Sequence, residues 1–251
     1  MAHITAIALQ KGGTGKSTTA HALGQGLLKA GKKVLFIDLD PQGNLSTTMQ
    51  ATEGKYSAYD VITNRVSVKK AVQHTGYGDI IPASPQLSGT DLEVTQTGKE
   101  YRIREALAQL GQLYDFMVID TPPALGTLTI NALTAASGVI IPVQAETYSI
   151  QGITQLFGTI DVVKNYCNPG LLVEGILLTR FSNRAILSRD MADVIGETAL
   201  KFGTKLYRTA IREGIAVKEA QAVKMPLLRY APESNPAKDY DQFVAEYLEN
   251  H

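Results

Sequence analysis

Nine residues near the start of the chain, Gln10-Lys11-Gly12-Gly13-Thr14-Gly15-Lys16-Ser17-Thr18, constrain its folding more than any other segment. They separate a short apolar run, Ile4–Leu9, from a stretch, Ser17–Ala30, in which Ala20, Leu23, Leu27 and Ala30 recur at helical spacing before Gly31. A buried strand, a glycine-rich turn and a helix therefore follow one another directly. The free N–H groups and positive dipole end of a helix N-terminus attract an anion. Glycines let the backbone curl around that anion without Cβ clashes. Gly12, Gly13, Thr14, Gly15 and Thr18 thus form a candidate nucleotide-binding cradle. Lys16 is spaced to reach the β- and γ-phosphates, and the Ser17 hydroxyl to ligate Mg2+. A dinucleotide turn fits less well. Only two of its three glycines are present, Thr18 fills the third position, and a lysine directly after the second suits a triphosphate.

Five further short apolar runs read as strands: Val34–Ile37, Ile80–Ile81, Phe116–Ile119, Val139–Val143 and Val173–Leu178. Ile150–Asn165 and Ser188–Phe202 carry helical patterns between or after them. Strands alternating with helices predict an α/β fold: a mostly parallel, doubly wound sheet in three α/β/α layers of the P-loop type. With no repeat, low-complexity tract or linker, residues 1–251 read as one domain. Thr52–Gly98 is the least periodic stretch and reads as an irregular excursion. Ala237–Glu249 places Tyr240, Phe243, Val244, Tyr247 and Leu248 on one helix face, with Asp239, Asp241, Glu246 and Glu249 on the other. A membrane-surface helix carries Lys and Arg there instead, so packing against the domain is expected.

Two strand ends are acidic. Strand C-termini face the ligand crevice of an open α/β sheet, which places Asp38, Asp40 and Asp120 near the phosphates. Phe116–Asp120 is an apolar strand ending in one acid, the Walker B pattern, and Asp120 is expected to hold Mg2+ through water. Thr121-Pro122-Pro123 stiffens the loop that follows, as in a switch that senses a γ-phosphate.

Lys11-Gly12-Gly13-x-Gly15-Lys16-Ser17-Thr18 is the deviant Walker A motif and resembles the ParA/MinD family of ATPases. Asp38-Leu39-Asp40-Pro41-Gln42-Gly43-Asn44, Asp120–Leu133 and Ile141–Glu146 resemble the same family in the same order, over nearly the whole chain. The resemblance implies ATP and Mg2+ as ligands and slow hydrolysis of ATP to ADP and phosphate. It implies an ATP-bound sandwich homodimer in which Lys11 reaches the partner subunit's ATP. It also makes Asp40 the residue that positions the attacking water. Asp38 is then an outer-sphere group of the Mg2+ that the Ser17 hydroxyl ligates and Asp120 holds through water. The catalytic set is Lys11, Lys16 and Asp40. Since the motif begins at Gln10, the likeness is to the short class without an N-terminal helix-turn-helix.

Composition first argues against nucleic acid, because 24 basic and 24 acidic side chains cancel. The charges are segregated, however. Ile176–Tyr230 holds ten basic and five acidic residues, an excess of five that the rest of the chain offsets. The resemblance implies nonspecific binding of double-stranded DNA through this region. Arg184 and Arg212 are the leading candidates, then Arg189, Lys205 and Arg208. Ala216 stands where relatives often carry an arginine. Such contacts go to phosphates and weaken with salt. The implied partner is a ParB-like centromere-binding protein that stimulates hydrolysis. The implied location is the cytoplasm, on the nucleoid, with no membrane contact.

Three other readings are weaker. A MinD-like membrane-associated positioning ATPase conflicts with the acidic terminal helix. An iron–sulfur ATPase needs two cysteine ligands per subunit, and Cys167 is alone. A tyrosine-kinase relative carries a terminal tyrosine cluster, whereas Tyr240 and Tyr247 lie on an apolar face. One cysteine also forms no intrachain disulfide. No apolar run reaches the about 18–20 residues of a membrane span, and Met1–Gln10 lacks the features of a signal peptide. His3, His21, His74 and His251 show no ligand spacing, so no zinc site is expected.

Overall fold

Successive residues of the central strands bury on opposite sides of one sheet, and that alternation sets the architecture. The computed structural model describes residues 2–52 and 55–251. Its strands are β1 (His3–Ile7), β2 (Val34–Asp38), β3 (Gln73–Thr75), β4 (Gly78–Ile81), β5 (Phe116–Asp120), β6 (Gly138–Gln144) and β7 (Leu172–Thr179). In β2, Leu35 and Ile37 enter one core while Val34 and Phe36 enter the other. In β5, Met117 and Ile119 face the first core, Phe116 and Val118 the second. Two cores divided by one sheet make the three-layer α/β/α fold expected from the strand–helix alternation.

The order across the sheet is β3-β4-β2-β5-β1-β6-β7. Every pair is parallel except β3 with β4. From β1 the chain moves to β2 on one side and later returns to β6 on the other. The strand order therefore reverses at β1, and a crevice opens beyond its carboxyl end.

The early helices are α1 (Lys16–Lys29), α2 (Asn44–Thr48), α3 (Ala58–Ile62), α4 (Val68–Ala71), α5 (Thr90–Glu93) and α6 (Arg102–Ala108). The later ones are α7 (Thr127–Ala135), α8 (Ser149–Tyr166), α9 (Ile186–Lys201), α10 (Ile215–Ala222), α11 (Leu227–Tyr230) and α12 (Asn235–Leu248). α1 packs closely because Gly24 and Gly26 have no side chain. A Cβ would sit 2.1 Å from Phe36 at the first and 2.6 Å from Val244 of α12 at the second.

One expectation needs correction. Thr52–Gly98 is not simply irregular. Outside residues 53 and 54, which lie beyond the described residues, it holds α3, α4, α5 and the hairpin β3–β4. It also buries Tyr59, Ile62, Val68 and Leu87. Elements of three to five residues are too short to show a period. The acidic face of α12 contributes to the packing as well. Its apolar face packs as expected, but Asp239 and Glu246 are buried too, at 4% and 6% exposure. Among the described residues, no helix is long and apolar enough to cross a membrane.

Candidate nucleotide site

The loop between β1 and α1 is held from two neighbouring strands. Gln144 at the end of β6 donates through Nε2 to the Gly13 carbonyl at 2.7 Å. The Thr179 hydroxyl at the end of β7 donates to the Thr14 carbonyl at 2.8 Å. Gly13 and Gly15 lie at φ 75° and 87°, in the left-handed region that a side chain strains. Gly15 caps α1 with no side-chain hydrogen bond, and no acid occupies the first turn. The helix end therefore presents its amides and positive dipole to a cavity of about 530 Å3. Gly12, Gly13, Lys16, Ser17 and Thr18 line it, whereas Thr14 is buried behind the loop.

Lys16 is buried and donates from Nζ to the Lys11 carbonyl at 2.9 Å. Burial lowers its pKa, and attraction to Asp120 and Asp40 works against that shift. Asp38 and Asp120 are register partners at the ends of β2 and β5. Both carboxylates are wholly buried. Asp38 is nonetheless satisfied: Oδ1 accepts the Asp40 amide at 3.1 Å, and Oδ2 accepts the Ser46 amide at 2.8 Å and hydroxyl at 2.7 Å. Burial raises its pKa to about 6, against the opposing effect of the Ser46 bonds. It thus ties the Asp40 loop to α2. Asp40 itself lines the cavity, its Oδ1 accepting from the Gln42 amide at 3.0 Å.

Asp120 differs. Neither of its oxygens has a hydrogen-bond partner among the described residues. Burial, then the nearby Asp38 charge, push its pKa well above the usual carboxylate range, and the adjacent Ser17 hydroxyl partly opposes them. A buried carboxylate without partners is costly unless a cation or donor completes it. Ser17 and Asp120 therefore fit a hard divalent cation bound at the foot of the phosphate loop.

Lys11 projects away from its own cradle, and its Nζ meets Glu146 Oε2 at 2.5 Å. The far wall of the cavity comes from Thr179 and Arg180 and from Ile211, Arg212, Glu213, Gly214 and Val217. His21, Met225, Leu227 and Tyr240 also line it. Sequence spacing did not reveal these four, which come from separate elements. Nor did it assign roles to Ser46, Gln144 or Glu146.

A family designated AAA_31, described as an AAA domain, matches residues 2–173. The chain is 38% identical over 255 residues to the sporulation initiation inhibitor protein Soj of Bacillus subtilis, covering all of both chains. It is 40% identical over 252 residues to the chromosome partitioning protein ParA of Caulobacter vibrioides, covering 98% of this chain and 93% of that one. It belongs to the ParA/Soj family of ParA/MinD-type ATPases. Among solved structures, a cobyrinic acid a,c-diamide synthase of Mycobacterium smegmatis with bound ADP and magnesium superposes with a TM-score of 0.86. That protein is 32% identical, and the match covers 100% of this chain and 95% of that one. The apo McdA structure also gives a TM-score of 0.86, at 25% identity, covering 99% of this chain and 100% of that one.

ParA-type membership directs attention to the basic residues of the C-terminal third. Arg184 and Arg189 are exposed beside the start of α9, and Arg184 has no ion-pair partner among the described residues. Arg212 is engaged: its amide and guanidinium both bind Asp239, the closest contact being 2.6 Å. Arg208 pairs with Glu249 at 2.6 Å and with Glu246 at 3.5 Å. Lys205 Nζ lies 4.9 Å from the Tyr207 ring centroid. The segment carrying them runs beside β7, with Leu206 level with Ile176 and Arg212 level with Phe181. Lys205 and Arg208 thus flank the middle of β7, on either side of the Leu206–Ile176 pairing, and Arg184, Arg189 and Arg212 lie beyond its carboxyl end. Ala216 is buried.

Proposed function

We propose that this chain is a DNA-partitioning ATPase: a single domain that binds ATP with Mg2+, dimerises on it, and hydrolyses it slowly. The observation that carries this reading is the buried, unpartnered Asp120 carboxylate beside Ser17, directly beneath the phosphate loop. Ser17 would hold the magnesium directly, with Asp120, and Asp38 behind it, acting through water. When bound, Mg2+ neutralises charge on the β- and γ-phosphate oxygens. The loop amides and Lys16 bind the phosphates and stabilise charge as the bond to the leaving ADP breaks. Asp40, at the cavity wall, orients the attacking water in line with the γ-phosphate. Lys11 serves the partner subunit's nucleotide, which requires it to leave Glu146.

The dimer binds double-stranded DNA nonspecifically through Arg184 and Arg189, with Lys205, Arg208 and Arg212 contributing after exchange of their present partners. A ParB-like protein stimulates hydrolysis and releases the dimer from the nucleoid in the cytoplasm. Full-length likeness to Soj and ParA supports this role.

The test measures dimerisation and binding to unrelated duplexes with ATP, ADP and no nucleotide. ATP alone is expected to promote both. Lys16→Ala is expected to lose nucleotide binding. Asp40→Ala is expected to retain an ATP dimer while turnover falls about 100-fold or more. DNA binding that is equal in all three nucleotide conditions would falsify the switch.

A further inference from the structure

Spacing predicted no metal-binding histidines, yet the fold brings two of them to one carboxylate. His3 opens β1, Glu174 lies in β7, and His251 follows α12. Their ligand atoms all lie within 4.8 Å of one another. His3 Nε2 is 2.7 Å from Glu174 Oε1, and His251 Nε2 is 3.7 Å from the same oxygen. The two imidazole centroids are 4.2 Å apart.

Local backbone geometry builds this meeting. The pairing of β6 with β7 slips at Glu174: Val139 faces Val173, and the next residue, Ile140, faces Gly175. Glu174 is the extra residue of a bulge, a device that re-aims a side chain. It is aimed across the first residue of β6, Gly138, where a Cβ would stand 1.9 Å from Glu174 Oε1. Only a residue without a side chain lets the carboxylate cross β6 to reach β1. The result is a carboxylate at 8% exposure whose second oxygen, Oε2, is buried with no hydrogen-bond partner among the described residues. Such an atom is costly unless something coordinates it.

We propose that His3, Glu174 and His251 bind a divalent ion of the zinc class. Two imidazoles and a carboxylate are a common zinc donor set, and imidazole donors disfavour magnesium and calcium. Donors about 2 Å from a tetrahedral ion stand about 3.3 Å apart. The separations of 2.7 and 3.7 Å bracket that spacing, so small side-chain rotations suffice. Both histidines also line an open cleft with Gln112, Tyr114 and Asp115, which gives the ion a path and leaves a coordination position for water. The site sits at the amino ends of the strands, at the opposite end of the sheet from the phosphate loop. Binding ties β1, β7 and His251, three residues beyond α12, together without touching the nucleotide site.

The test uses untagged, chelator-stripped protein in excess magnesium and ADP, which keeps the phosphate site filled. Zinc binding is measured by competition with a chromophoric chelator, and cobalt binding by its visible spectrum. Wild type is expected to bind one zinc, to give the intense bands of tetrahedral cobalt, and to melt at a higher temperature with zinc than without. His251→Ala and Glu174→Gln are expected to lose all three responses. His251 also stacks on His3 and Tyr247, at centroid distances of 4.2 and 4.4 Å, so each variant's shift with zinc is read against its own metal-free melting temperature. Absence of stoichiometric zinc binding in wild type, or undiminished binding in His251→Ala, overturns the proposal and leaves a plain His3–Glu174 hydrogen bond.

Discussion

At the residue scale, the site concentrates negative charge that the ligand-free protein does not need. Asp38 and Asp120 are buried side by side with raised pKa values. A carboxyl whose folded pKa is raised binds more protons folded than unfolded, so it lowers stability as pH rises between the two values. For Asp38 that window runs from about 4 to about 6. Asp120→Asn is therefore expected to raise the melting temperature of the ligand-free protein at pH 7 while weakening Mg2+-dependent ATP binding. Calorimetry with and without ligand checks both signs. Lys11 poses a different problem, because its ammonium is held in its own subunit by Glu146. Both side chains are substantially exposed, and such a pair is worth no more than about 1 kcal/mol, or roughly 5-fold in an equilibrium. Both subunits of the dimer must release this pair, so Glu146→Gln is expected to lower the protein concentration needed for ATP-driven dimerisation by up to about 25-fold. Sedimentation velocity across a concentration series reads it, and an unchanged midpoint would show that the pair does not compete with the dimer.

At the element scale, α12 is a charged clamp as well as an apolar lid. Tyr240, Phe243 and Tyr247 pack under the sheet, as their helical spacing indicates. Glu246 from the other side accepts the amides of Arg208 and Thr209 at 2.9 and 3.0 Å and the Thr209 hydroxyl at 2.9 Å. Burial alone would raise the Glu246 pKa, but these bonds, with the Arg208 charge, hold it below its ordinary value. A depressed carboxyl adds stability that is complete above its unfolded pKa, near 4.5, and is lost as pH falls through the folded value. Glu246→Gln is expected to cost about 1–3 kcal/mol at pH 7, with the difference from wild type shrinking below pH 4. Urea unfolding as a function of pH measures this. The long helices α1, α8, α9 and α12 were legible from their periods to within two residues at either end. Of the three-to-five-residue elements between β2 and β5, the apolar run Ile80–Ile81 of β4 was legible, but the others were not, because so few residues give no repeat to detect.

At the scale of the whole molecule, charge segregation along the chain is partly undone in space. Ten basic residues concentrate between Ile176 and Tyr230. Arg208 and Arg212 of that group lie against Glu246, Glu249 and Asp239, which belong to the acidic remainder of the chain. Arg184 and Arg189 keep their charges in solvent. Arg184→Ala and Arg189→Ala are each expected to weaken ATP-dependent DNA binding uniformly across sequences and to reduce the salt slope by about 1. Arg212→Ala should instead show mainly as lost stability. Fluorescence anisotropy over a salt series separates the two effects. The sequence by itself determined the phosphate loop, the acidic strand ends, the alternation of strand and helix, and through them the family. These are local signals: a turn, a cap or a strand end acts on neighbours within a few residues, and its chemistry is written in consecutive positions. Only the tertiary structure decided that Asp38 is satisfied by Ser46 while Asp120 is not, that Lys11 rests on Glu146, and that Asp239 neutralises Arg212. It alone brought His3, Glu174 and His251 together. Those pairings join residues up to about 250 positions apart. Their proximity comes from the sheet order, one β-bulge and the return of the last helix, none of which acts through neighbouring residues.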